Sequence, residues 1–331
     1  MKKLFYVGMV LLLTGVLWGC AEKDNRKGNI ITTPTGNPQP AESSPVPTII
    51  PQPTEPPVIR QNDNSAAHNR EVRYGKRAEL NEQYRRATEI GNRYGIDIRI
   101  ADLVEDSVLN DGDEREYNPE IITAALTAVD RILAAYPEGF FDQLVYGEYS
   151  GMEISLIGFC TIGMGFVTTD VRGAESVNEM CLDIADYGLI EELDYNLPHE
   201  LTHMIDFRIE HFKNWESPDL NNYEEKWAEL NPKDLVYAYG DSELEELIYD
   251  KYPSYFSYSY GCSSPLEDRA TFLGELMKNY LTKPEGSMTM EPEAYAKMEF
   301  WCHCCREAFD TKGWPEQTPW EIQLEAEKPT E

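Results

Sequence analysis

Polar and apolar positions alternate at changing periods along the chain. Residues 77–94 are polar with an amphipathic rhythm that predicts a helix, ended by Gly95 as a C′ residue. Ile96, Ile98 and Ile100 then alternate with Asp97 and Arg99, a period of two that predicts a strand over 96–100. Asn118-Pro119 opens a second helix over 119–136, with Ile122, Ala125, Val129 and Leu133 on one face. Residues 140–146 read as irregular or a short turn, and strands are predicted at 153–159, 165–169 and 180–186. The helical period returns after Asn196 and Pro198, with Asn196 as candidate N-cap and Pro198 in the first turn. Further helices are expected at 223–230, 265–280 and 292–309, and no repeat is visible. Helices, then a small sheet, then helices make an α+β domain: a small mixed sheet packed on one long helix, with further helices around it.

The first 72 residues follow another pattern. Lys2 and Lys3 precede an apolar run over 4–17, which ends at Leu17-Trp18-Gly19-Cys20. That run is too short to span a membrane and reads as a secretory signal over 1–19. Leu-x-Gly-Cys resembles the lipobox of bacterial lipoproteins, which implies lipid on Cys20 and a place on the extracytoplasmic face of the cell membrane. Residues 20–72 are rich in Pro, Thr and Ser and too poor in apolar groups to offset the entropy of ordering, so they are expected to be an extended spacer. The globular domain is then 73–331. Its setting is acidic: 59 Asp and Glu against 29 Lys and Arg, net −30. Such a surface repels phosphate backbones, so nucleic acid is not an expected partner. Beyond Cys20 six cysteines remain. Export permits disulfides, for instance between Cys160 and Cys181, but a domain of this size is also expected to hold buried free thiols.

The chemistry concentrates in Leu197-Pro198-His199-Glu200-Leu201-Thr202-His203. On a helix, residues four apart share a face, so His199 and His203 can turn both imidazoles to one zinc ion. Glu200, a quarter turn away, can stand beside the metal and take a proton from water. The chain has five His in all, so this pair around a Glu is informative. A third ligand is needed. Asp206 and Ile209 stand where the longer His-Glu-x-x-His-x-x-Gly-x-x-His pattern needs Gly and His. His211 lies off the metal face. The remaining source is a carboxylate on a later helix: Glu267, in the first turn after Ser264-Pro265, with small Ala270 on the same face. Glu275 is the rival and reads as a surface charge. Asp206 and Asp268 are candidates to orient the imidazoles, or to pair with Arg208 or Arg269.

Together, His199, Glu200, His203 and the Glu267–Ala270 turn resemble the gluzincin metallopeptidases, zincin-like domains with a His-His-Glu zinc site. Tyr260, seven residues before Glu267, is placed like an active-site tyrosine in the protease domain of anthrax lethal factor. Residues 118–320 also look like a family of zinc-binding lipoproteins of anaerobic Gram-positive bacteria. The resemblance implies zinc on His199, His203 and Glu267, with Glu200 as general base, Tyr260 as oxyanion donor and a peptide or protein as substrate. Substrate would lie extended along a sheet edge, the 165–169 strand being the candidate. Tyr258 is expected to be a bystander. The competing function is a cell-surface binding or scaffold lipoprotein that keeps a zincin fold with little or no hydrolysis. Trp301-Cys302-His303-Cys304-Cys305 lies within a predicted helix and reads as core cysteine, not a second metal site.

Overall fold

The computed structural model describes residues 64–147, 149–172, 175–212, 217–283 and 289–329. The expected leader, Cys20 and the expected spacer up to residue 63 lie outside the described residues. Packed chain begins ahead of the boundary expected at 73: Ala67 is buried, and His68 reaches Asp142 Oδ1 at 2.9 Å. Among the described residues, no helix is long and apolar enough to cross a membrane.

Helix α1 (Asn81–Tyr94) ends on Gly95 at φ 73° and leads into β1 (Asp97–Ile100). Helix α2 (Pro119–Leu133) follows, with Asn118 Oδ1 accepting from Glu120 N at 2.9 Å. Then come β2 (Tyr149–Ile157), β3 (Gly165–Arg172) and β4 (Glu175–Asp183). They form a mixed sheet in the order β1-β2-β4-β3. The three strands β1, β2 and β4 run parallel, and β3 pairs antiparallel to β4 at one edge. The period of two sorts the faces. Ile98, Ile100, Ile154, Leu156, Met180 and Leu182 point into the main core. The other face carries a smaller apolar cluster that includes Ile157, Phe166 and Cys181, and a buried Arg99–Glu153 pair at 2.7 Å.

Helix α3 (Tyr187–His211) leaves the end of β4, with Asp186 Oδ1 accepting from Leu189 N at 3.0 Å. It starts nine residues or more ahead of the expected position, so Pro198 is interior and Asn196 is not a cap. A proline there removes one helical hydrogen bond, the one Asp194 O would accept, at a cost of about 3 kcal/mol. Leu193, Leu197 and Leu201 are fully buried on this helix, and each contributes about 1.5–3 kcal/mol. Burial therefore outweighs the local signal. The remaining helices are α4 (Pro218–Asn221), α5 (Tyr223–Glu229), α6 (Ser242–Lys251), α7 (Pro265–Thr282), α8 (Pro292–Ala308) and α9 (Pro319–Ala326). Helix α7 lies along α3, and this contact builds the site.

The six cysteines beyond Cys20 are free and buried. Cys160 and Cys181 share the smaller apolar cluster, so they are neighbours but not bridged. Cys302, Cys304 and Cys305 pack into the main core from α8, while exposed His303 turns to Asp219 Oδ2 at 3.0 Å.

Candidate metal centre

His199 and His203 stand one turn apart on α3, and Glu267 comes from the first turn of α7. Ser264 starts α7 by accepting from Glu267 N at 3.2 Å, and Pro265 takes the first helical position. The small side chain of Ala270 is fully buried. Glu267 Oε2 lies 3.0 Å from His199 Nε2, and Oε1 lies 3.8 Å from His203 Nε2. All three ligand atoms lie within 4.8 Å of one another. Tetrahedral zinc with bonds of about 2.0–2.1 Å separates its donors by roughly 3.3 Å, which the two distances bracket. Glu267 Oε1 and Glu200 Oε2 are buried and receive no hydrogen bond among the described residues. Unpartnered buried carboxylate oxygens are costly, and a cation relieves them. Two imidazoles and one carboxylate thus fit a zinc ion in donor type, spacing and unmet bonding.

Electrostatics agree with the geometry. Burial opposes charge on His199, but its hydrogen bond to Glu267 prevails and raises its pKa. Burial pulls His203 down to about 4, with Glu267 opposing, which leaves a neutral imidazole with a free lone pair. Burial alone would raise Glu267, but His203, His199 and a hydrogen bond from Tyr260 hold it low and ionised. Burial raises Glu200 to about 7, with His199 opposing and Glu267 adding to the shift. A carboxyl poised there can take and return a proton near neutrality.

Edge strand β3 lies alongside. A Cβ on Gly165 would sit 3.3 Å from Glu200 Cγ and 3.0 Å from Cys181 O, so the bare glycine lets β3 approach the helix. Tyr260, in a short 3-10 turn (Ser259–Cys262), stacks its ring on His199 with centroids 6.1 Å apart and planes at 26°. Burial, then the nearby Glu267 and Glu200 carboxylates, hold its phenol far above its ordinary pKa, as a proton donor.

Other expected residues take other places. Glu275 is half-buried and is not part of the three-residue cluster. Asp206 accepts from Tyr223 Oη at 2.8 Å, Trp301 Nε1 at 3.2 Å and Arg269 Nε at 2.5 Å. Asp268 accepts from Lys297 Nζ at 2.5 Å, Tyr237 Oη at 2.8 Å and Trp227 Nε1 at 3.1 Å. Both tie helices together and leave the imidazoles alone. His211 ends α3, exposed, beside Tyr146.

Instead, the residue on His199 is Tyr195, whose Oη is 3.3 Å from Nδ1 and is also hydrogen-bonded to Tyr258 Oη. Tyr258, expected to be a bystander, thus touches the site through Tyr195. Tyr195 precedes His199 by the same four residues that separate His199 from His203. That spacing is the signal in the sequence, and a helix beginning at Pro198 excludes it.

No protein-family model and no curated protein matches the chain. Among solved structures, it is similar to a Bacteroides caccae protein described as a putative zinc-binding metallo-peptidase. The likeness covers 78% of this chain and 95% of that one, at 16% identity and a TM-score of 0.43. A likeness of that degree leaves the functional reading to the residues of this chain.

Proposed function

We propose that the protein is a zinc-dependent, gluzincin-type metallopeptidase, anchored by lipid on Cys20 to the extracytoplasmic face of the cell membrane. The observation that carries the reading is the convergence of His199, His203 and Glu267 from two helices beside Glu200, with buried carboxylate oxygens unmet. Bound zinc supplies Lewis acidity toward the scissile carbonyl and toward water. Glu200 takes the proton from the attacking water and returns it to the leaving amine, its carboxylate being buried beside the three ligands with one oxygen unmet. Tyr260 donates its hydroxyl to the oxygen on which charge develops, as the likeness to lethal factor suggests. An extended peptide adds to the outer edge of β3, the end strand of the sheet, which brings its backbone past Glu200. The scaffold reading gives no role to a Glu200 carboxylate buried beside the ligands with one oxygen unmet.

The test is elemental analysis with peptidase assays and N-terminomics on cell-surface proteins. One zinc per chain is expected, lost in His199→Ala. Glu200→Gln should keep the zinc and lose about 10²- to 10⁴-fold in turnover. Full turnover in a zinc-loaded Glu200→Gln protein defeats the hydrolytic reading.

A further inference from the structure

We infer that Tyr195 and Tyr258 form a hydroxyl chain that positions His199, resting on the reading of His199, His203 and Glu267 as a zinc site. The two imidazole nitrogens face different partners. Nε2 is turned to Glu267 at 3.0 Å, and Nδ1 is turned to Tyr195 Oη at 3.3 Å. A cation on Nε2 needs that lone pair, so the ring proton resides on Nδ1 and is donated to Tyr195 Oη. The Tyr195 hydroxyl is hydrogen-bonded in turn to Tyr258 Oη. The hydrogen bond to Tyr195 thus holds the Nδ1–H tautomer of His199, and Tyr258 in turn holds the Tyr195 hydroxyl in place.

The ring that carries this hydroxyl is held by packing. Tyr195 is buried between α3 and α7, and its Cε2 would lie 2.6 Å from any Cβ at Gly274. Glu267, Ala270 and Gly274 lie on one face of α7, so this face offers a ligand, then a methyl, then open space for the ring. The segment that brings Tyr258 also brings Tyr260, and those two rings stack at 6.4 Å and 24°. One short segment thus controls both the edge of the His199 ring, through Tyr195, and its face, through Tyr260. Ligand histidines usually donate to a carboxylate or a carbonyl. Here Glu200 and Glu267 are already buried in the same pocket. A third carboxylate would raise the cost of charging them, and a phenol fixes the ring without that cost.

The experiment uses the full-length protein and its Tyr195→Phe, Tyr258→Phe and double variants. Zinc affinity is read by competition with a chromogenic chelator, ligand geometry by the visible spectrum of the cobalt-substituted protein, and folding by the thermal midpoint of the metal-free protein. Tyr195→Phe should bind zinc about 10- to 100-fold more weakly, with an altered cobalt spectrum and an unchanged metal-free midpoint. Tyr258→Phe should shift affinity the same way by less, and the double variant should equal Tyr195→Phe, because the groups act in series. Wild-type affinity and spectrum in Tyr195→Phe overturn the inference. So does a lowered metal-free midpoint, which marks the hydroxyl as structural, and so do additive losses in the double variant. If the wild-type protein takes up no zinc, the wild-type titration itself shows that the metallopeptidase reading fails, and the inference with it.

Discussion

Gly274→Ala perturbs the α3–α7 contact at one atom. The added Cβ would stand 2.6, 2.8 and 3.0 Å from Tyr195 Cε2, Cδ2 and Cζ. Carbon pairs settle at about 3.5–4.0 Å, so ring or helix must move by roughly 1 Å. The ring has little freedom, since Tyr195 is 7% exposed and its hydroxyl engages His199 and Tyr258. Overpacking of this kind costs about 1–3 kcal/mol. Alanine in a helix interior returns about 0.8–1.0 kcal/mol relative to glycine. The net expectation is a loss of up to about 2 kcal/mol in urea unfolding of the metal-free protein. The same shift lengthens the 3.3 Å contact to His199 Nδ1 beyond useful hydrogen-bond range, so zinc affinity should fall about 10-fold or more. A variant more stable than wild type by about 1 kcal/mol, with wild-type zinc affinity, is the outcome of helix propensity alone. It would refute the wedged ring.

Three further outcomes are expected. In the metal-free protein, Glu200 is raised from its ordinary 4.5 to about 7. The folded state therefore holds more protons than the unfolded state across that window, and wild type loses stability there as pH rises. Glu200→Gln should gain stability relative to wild type from pH 5 to pH 8 in paired urea titrations, and a pH-independent difference contradicts the burial. Asp206→Ala leaves Arg269, which is fully buried, with Glu224 at 2.8 Å as its remaining carboxylate partner. The loss should reach about 3 kcal/mol by urea unfolding, and a loss under 1 kcal/mol shows that the pair can be dispensed with. Pro198→Ala supplies the N–H that Asp194 O lacks, and should raise the metal-free thermal midpoint by an amount equivalent to about 1–3 kcal/mol. A lower midpoint means that the proline shapes α3 in a way packing requires.

Features that depend on neighbours in sequence were legible. The alternation of 96–100, the cap at Asn118 and the stop at Gly95 are local, and the corresponding elements form within a few residues of their expected bounds. His199 and His203 were legible for the same reason. Glu267 was reachable because Ser264-Pro265 starts a helix and Ala270 marks its close face. Helix α6 was not, because its apolar residues are few and one of them, Leu247, is 65% exposed. The start of α3 is not legible locally, because a proline that normally opens helices lies inside one held by its leucines. Arg269 stood among the arginines offered to Asp206 and Asp268, and it meets Asp206 from 63 residues away, whereas Lys297, 29 residues from Asp268, was out of reach. No period or spacing encodes such pairs.

Those distant pairs lie next to the ligands in sequence. Asp268 and Arg269 follow Glu267 directly, and Asp206 lies one turn after His203. Arg269 Nε meets Asp206 Oδ2 at 2.5 Å and so joins α7 to α3, while Lys297 and Trp301 of α8 join Asp268 and Asp206. Buried pairs of this kind add little net stability over apolar packing, because desolvation offsets their attraction. Their contribution is directional. Leucine and alanine faces tolerate a slide of one helix along another, whereas a guanidinium bonded to one carboxylate does not. A slip of one residue moves α7 by 1.5 Å and turns its side chains by about 100°, which would carry Glu267 away from both imidazoles. The ion pairs therefore hold the register on which the His199–His203–Glu267 geometry depends, and the apolar core supplies the stability.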